Sequence, residues 1–122
     1  MPLIRCFDPH HQLHHLAVTG TSTLSEWQEG LAGVCDDAAA PHAPILLDLT
    51  SAAHAPRDWE LTLLAFLLRK IVQHRRCRLA IHSPAPEHGV SLALLAFSCD
   101  AVDAIEFFPD LDQARAWLAA SR

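Results

Sequence analysis

The sequence has 122 residues, of which 51% are hydrophobic and 19% charged, and its formal net charge is −5. This length is typical of one domain, and the apolar content is sufficient for a buried core, which excludes a wholly disordered chain. The acidic balance argues against a general nucleic-acid binder, because neutralising phosphates requires a cationic face.

The cysteines and the apolar segments predict a cytoplasmic protein. Four cysteines are spread along the chain without a Cys-x-x-Cys pair, which argues against a disulfide framework. Residues 1–12 lack the apolar core of a signal peptide, because Arg5 and Asp8 interrupt it. The most apolar stretch, 61–68, is too short to span a bilayer.

The first part of the chain predicts a β-hairpin followed by a helix. Residues 3–7 and 13–18 have the character of short strands, and Pro9 suits the turn between them. The segment 23–26, Thr-Leu-Ser-Glu, has the spacing of a capping box. The helix that it opens should end near Asp37.

The rest of the chain alternates strands with helices. The apolar run at 45–49 is typical of a strand covered on both faces, and Asp58 is a suitable N-cap for a long helix. A second capping-box-like segment at 110–113 should open the closing helix. The predicted elements after 49 are a loop at 50–56, a helix to about 74, a strand at 78–82, a helix at about 87–97, a strand at 104–108 and a helix to about 120.

The order of these elements is β-β-α-β-α-β-α-β-α. Strands that alternate with helices favour right-handed crossovers and parallel pairing, whereas the opening hairpin is antiparallel. We therefore predict a single α/β domain with a mixed, mostly parallel sheet of five strands and about four helices.

Two segments of the sequence resemble the STAS family. Residues 45–50, Ile-Leu-Leu-Asp-Leu-Thr, are similar to that family's apolar strand ending in Asp-Leu-Ser/Thr, and residues 105–118 resemble its last strand and helix with an Ala-x-x-Trp-Leu close. The family includes bacterial anti-sigma-factor antagonists and the cytoplasmic tails of sulfate transporters, and the chain looks closest to a divergent branch of small standalone bacterial proteins. The resemblance implies regulation through protein contact.

The long helix departs from the family at its start. In phosphorylated members, an Asp-Ser-Gly-type signature carries the regulatory phosphate at this point. Here the matching residues are Asp58, Trp59, Glu60 and Leu61, and an indole cannot accept a phosphate. If a kinase acts on this chain, Thr50 or Ser51 is the better target by position.

Two groups of polar residues are candidate chemical sites. His10, His11, His14 and His15 do not suit one metal ion, because neighbouring strand residues point to opposite faces, and we expect ordinary surface histidines.

A second group follows the third strand, where open α/β sheets bind ligands, and forms a possible switch or ligand loop: Thr50, Ser51, His54 and Asp58. A Ser–His–Asp set could be assembled with the neighbouring His82 and Ser83, but no Gly-x-Ser-x-Gly elbow presents a serine. We expect no enzyme activity and no cofactor.

The long helix and the one after it are apolar around most of their circumference, which one sheet face cannot cover. The remainder should meet another helix, a second subunit or an apolar ligand. The possible interaction face comprises Leu61, Leu64, Leu68, Ile71, Leu94 and Leu95, with Leu64 and Leu68 partly exposed. The leading hypothesis is a regulatory module that contacts a protein partner or itself as a homodimer, and the alternative is a carrier or sensor of a small lipid-like ligand.

Overall fold

The computed structural model describes residues 3–20, 23–35, 43–52, 58–83 and 104–120. These ranges contain five strands and three helices, one fewer helix than the sequence predicts; the helix expected at 87–97 lies outside them. The elements are β1 Leu3–Asp8, β2 Leu13–Gly20, α1 Leu24–Cys35, β3 Ile45–Ala52, α2 Asp58–Arg75, β4 Leu79–His82, β5 Ile105–Phe108 and α3 Leu111–Ala119.

The five strands form one mixed sheet in the order β1-β2-β3-β4-β5. The hairpin pair β1–β2 is antiparallel, and the three remaining pairs are parallel. The predicted fold class is confirmed, including the antiparallel opening. Parallel pairing brings the carboxyl ends of β2, β3, β4 and β5 to the same edge of the sheet.

A carboxylate fixes the hairpin turn between β1 and β2. Asp8 Oδ1 accepts hydrogen bonds from the backbone N–H groups of His10 (2.9 Å) and His11 (3.1 Å), and Asp8 Oδ2 lies 2.7 Å from His11 Nδ1. The side-chain bond to His11 is the main reason that the pKa of Asp8 falls to about 2. The turn holds Asp8 opposite Leu13, and this pairing sets the register of the two strands.

Strand β3 is longer than its apolar run predicts. The sequence places Thr50 and Ser51 in a loop, and this prediction is wrong, because β3 continues to Ala52. After an irregularity between Ala17 and Thr19, β2 pairs with β3 again and brings Thr19 opposite Ser51. This pairing joins segments far apart in sequence, so the local pattern did not show it.

The sheet is covered on both faces. Alternate residues of β3 separate into two cores, with Ile45, Leu47 and Leu49 on one face and Leu46 on the other. The larger core also contains Trp27 and Leu31 of α1 and Leu64, Leu68, Ile71 and Val72 of α2. The smaller core joins Leu13, Leu46 and Ala80 to Ala114 and Leu118 of α3.

The two segments with capping-box spacing both open helices, with a full capping box at α1 and an N-cap bond at α3. At α1, Glu26 N–H donates to Thr23 Oγ1 (3.2 Å), and Thr23 N–H donates to Glu26 Oε1 (3.0 Å). At α3, Asp110 is the N-cap and accepts the N–H of Asp112 at 3.0 Å. Each carboxylate or hydroxyl satisfies a backbone donor that the helix itself cannot.

Helix α2 is followed by a left-handed residue that is not glycine. Arg76 has φ 53°, and the N–H of Cys77 donates to the carbonyl of Val72 at 3.3 Å. This six-to-one bond is characteristic of a Schellman motif, whose left-handed position is usually glycine. A side chain in this conformation costs about 1 kcal/mol, because Cβ approaches the following carbonyl.

We expect Arg76→Gly to be more stable than Arg76→Ala by about 1 kcal/mol. Both variants remove the same charge near the end of α2, so their difference isolates the steric cost of Cβ at φ 53°. Urea unfolding of the two proteins measures this difference. Equal stabilities would show that the left-handed conformation carries no cost at this position.

Candidate functional site

A polar cluster of Asp48, His15 and Thr50 joins strands β2 and β3 on the face of the sheet that α3 partly covers. Asp48 Oδ2 lies 2.9 Å from His15 Nε2, while Asp48 Oδ1 accepts the Thr50 hydroxyl and, at 2.9 Å, the Thr50 N–H. An ionised carboxylate only accepts hydrogen bonds, so Nε2 of His15 carries the hydrogen. Asp48 is therefore the common acceptor of three donors.

The electrostatics of the polar cluster favour the ionised carboxylate. Partial burial by itself raises the pKa of Asp48, but the hydrogen bonds from His15 and Thr50 outweigh this effect. The pKa of Asp48 is consequently held well below its ordinary value. A carboxylate in this state is a stable acceptor at neutral pH and does not act there as a proton donor.

The polar cluster does not have the arrangement of a hydroxyl nucleophile. In a Ser–His–Asp triad, the hydroxyl bonds to the imidazole, which can then remove its proton. Here the Thr50 hydroxyl donates to the Asp48 carboxylate. The neighbouring His82 has its Nδ1 3.2 Å from the carbonyl oxygen of Phe108, and Ser83 is buried. The contact between His82 and Phe108 joins the ends of β4 and β5.

The structure describes only part of the predicted switch or ligand loop. Thr50 is exposed and lies in β3 beside Asp48. His54 and the side chains of Ser51 and Asp58 lie outside the described residues. Phosphorylation of Thr50 or Ser51 stays a prediction, and at Thr50 it would replace the hydroxyl hydrogen that now bonds to Asp48.

The four clustered histidines separate into different environments. His10 and His11 lie in the turn, with ring centroids 4.7 Å apart, while His14 and His15 point to opposite faces of β2, as the strand period predicts. The expectation of four surface histidines is wrong for His14, which is fully buried with its ring 5.2 Å from that of Phe7. Within the described ranges, no three potential ligands come together around a metal position.

Part of the predicted interaction face on α2 belongs to the core. Leu64 and Leu68 were expected to be partly exposed, but both are completely buried, and Ile71 is 5% exposed. They point at the sheet and pack with the larger core. The side chain of Leu61 and all of Leu94 and Leu95 lie outside the described part of the chain.

The outward face of α2 carries exposed apolar residues outside the predicted interaction face. Trp59 is 58% exposed, Leu63 47% and Phe66 45%. Their spacing of four and three residues places them on one side of the helix, opposite Leu64 and Leu68. A helical projection of α2 would have separated the two sets, because the buried and exposed residues follow the same period with a half-turn offset. We call Trp59, Leu63 and Phe66 the outer stripe.

Asp48→Asn should reduce the free energy of unfolding by about 2 kcal/mol at pH 7, because a charged acceptor of three hydrogen bonds is lost. A carboxyl whose pKa is lowered by folding stabilises the fold above its unfolded pKa, and this contribution disappears as pH falls. The deficit of the variant should therefore shrink as pH falls below about 4, the ordinary pKa of Asp.

Urea titrations of both proteins at pH 7 and pH 3 provide this comparison. Asp112→Asn, which changes an exposed carboxylate of α3, is the matched control and should alter stability by about 0.5 kcal/mol or less. A deficit at Asp48 that is the same at both pH values would contradict the role of the ionised carboxylate.

Among the described residues, no helix has the length and apolar character needed to cross a membrane.

Comparisons with known proteins add information about the fold. No family's sequence model matches the chain, and no curated protein matches it.

One solved structure is similar: the crystal structure of an uncharacterized DUF3478-family protein with a SpoIIAA-like fold from Shewanella loihica PV-4. It is 16% identical, and the alignment covers 95% of this chain and 91% of that chain with a TM-score of 0.56. At this identity the likeness is one of fold. The STAS resemblance in the sequence is thus confirmed as a SpoIIAA-like fold.

Proposed function

We propose that this chain is a non-enzymatic, STAS-like regulatory module that acts through protein–protein contact and forms a homodimer. The observation that carries the proposal is the outer stripe of α2. Three large apolar side chains, each about half exposed, lie side by side on α2. The opposite face of the helix packs in the larger core. Contiguous exposed apolar residues of this kind are typical of interaction sites.

The composition of the outer stripe also favours a protein partner. Trp and Phe are enriched at protein interfaces, because their rings bury a large area with little loss of conformational entropy. Leu63 lies between the two rings along the helix axis, and the three positions fall within about 60° of arc, so the side chains form one continuous surface. A partner covering it would remove from water the three large apolar side chains that are exposed on the described part of α2.

The alternative of an enclosed apolar ligand is less well supported by this geometry. Small-molecule sites are concave and surround most of the ligand. The outer stripe lies on the side of α2 that is directed away from the sheet, and its three side chains are each about half exposed. A co-purifying acyl-chain mass in native mass spectrometry would nevertheless favour the ligand carrier over the interaction module.

We expect Phe66→Glu to convert a dimer into a folded monomer, because the variant places a charge in the centre of the apolar contact. Sedimentation velocity gives the oligomeric state and circular dichroism the fold. Ile4→Glu is the matched control: Ile4 is 56% exposed on β1, so the same chemical change on another surface should leave the dimer intact.

Leu68→Glu tests the other face of α2. It buries an unpaired carboxylate in the larger core and should unfold the domain, since this costs several kcal/mol. A wild-type protein that sediments as a monomer at all accessible concentrations would contradict the homodimer. An unchanged dimer in Phe66→Glu would show that the interface does not include the outer stripe.

A further inference from the structure

We infer that two copies of the chain pair through α2 in antiparallel orientation, with Lys70 of each copy against Trp59 of the other. This inference rests on the proposed function and specifies the geometry of the same surface. Lys70 is exposed and continues the outer stripe by one turn, since the positions 59, 63, 66 and 70 fall within about 60° of arc on a helix. The extended stripe is thus Trp59, Leu63, Phe66 and Lys70.

The spacing of the extended stripe is symmetric about its centre. Leu63 and Phe66 lie equally far on either side of the midpoint between residues 64 and 65, and so do Trp59 and Lys70. A twofold axis through this midpoint therefore places Leu63 of one copy opposite Phe66 of the other. The same operation places Trp59 opposite Lys70 at both ends of the contact. Such a surface is complementary to itself, which is the requirement for a twofold interface.

The contact formed at each end is chemically favourable. An ammonium group over an indole ring is attracted by the negative face of the ring, and tryptophan is the best aromatic partner for this interaction. The methylene stem of Lys70 can also cover apolar surface while its charge stays in water. The symmetric arrangement uses both properties twice.

The charges along α2 favour antiparallel over parallel pairing. The helix begins with the acidic residues Asp58 and Glu60, whereas Arg69 and Lys70 lie in its second half. Antiparallel copies bring the acidic end of each helix alongside the basic half of the other, and the two helix dipoles oppose each other. Parallel copies would place like charges together at both ends and Trp59 beside Trp59.

Cysteine cross-linking distinguishes these orientations. Trp59→Cys and Lys70→Cys proteins are prepared separately, mixed, allowed to exchange subunits and oxidised mildly, with the oxidised wild type as the baseline for native cysteines. Antiparallel pairing should yield a disulfide between positions 59 and 70. Links between two copies of position 59 should be absent, because these positions would lie about 16 Å apart along the axis, beyond the reach of a disulfide.

A charge reversal tests the proposed contact without cysteines. Lys70→Glu should weaken dimerisation at least tenfold, because it loses two cation–π contacts and places two carboxylates near the acidic helix starts. Lys70→Arg retains the cation and should dimerise as the wild type does. Circular dichroism confirms that both variants are folded.

The outcomes separate this inference from the proposed function. A dimer that Phe66→Glu disrupts, but that cross-links position 59 to itself, would overturn the antiparallel geometry and leave the interaction face intact. Equal dimerisation of Lys70→Glu and the wild type would overturn the Lys70–Trp59 contact. A monomeric wild type would overturn both proposals.

Discussion

Strand β3 is the constraint on which the rest of the structure depends, because its first half is paired on both edges and its apolar residues there are buried on both faces. It lies between β2 and β4 in parallel register, and its first three residues are completely shielded from solvent. Ile45 and Leu47 anchor α1 and α2 on one side, and Leu46 anchors α3 on the other. A segment that is paired on both edges and buried on both faces leaves its neighbours little freedom of position.

The polarity of β3 changes where this burial ends. Leu46 is covered by α3, whereas Asp48, on the same face two residues further, is only partly buried and bonds to His15 and Thr50. A charge at this depth is tolerated because three donors compensate for the water that it loses. The strand therefore changes from an apolar core to a polar cluster within two residues, and the cluster holds β2 in place beyond the last apolar layer.

The sequence predicts features that depend on neighbouring residues and does not predict those that depend on distant ones. The sequence predicts the helix start at Thr23 and Glu26 and the strand at 45–49, because each depends on residues close in sequence. The extension of β3 to Ala52 and the burial of Leu64 and Leu68 depend on distant segments, so the local pattern left them open.

The polar cluster was missed for the same reason. His15 and Asp48 are separated by 33 positions in the chain and meet only when β2 and β3 pair. The apolar character of α2 was recognised, but without the sheet as a reference it was assigned to the wrong side. The exposed set, Trp59, Leu63 and Phe66, became visible once the buried set was known.

The position of α3 in the chain has a consequence for biosynthesis. This helix follows all five strands in sequence, yet it supplies Ala114 and Leu118, which cover Leu46 and Ala80. On the ribosome, α1, α2 and the five strands emerge before α3, so Leu46 and Ala80 lack their contacts with Ala114 and Leu118 until α3 has been synthesised. Transiently exposed apolar surface of this kind is where chaperones bind and where misassembly starts. Synthesis of α3 is therefore the step that allows the smaller core to form.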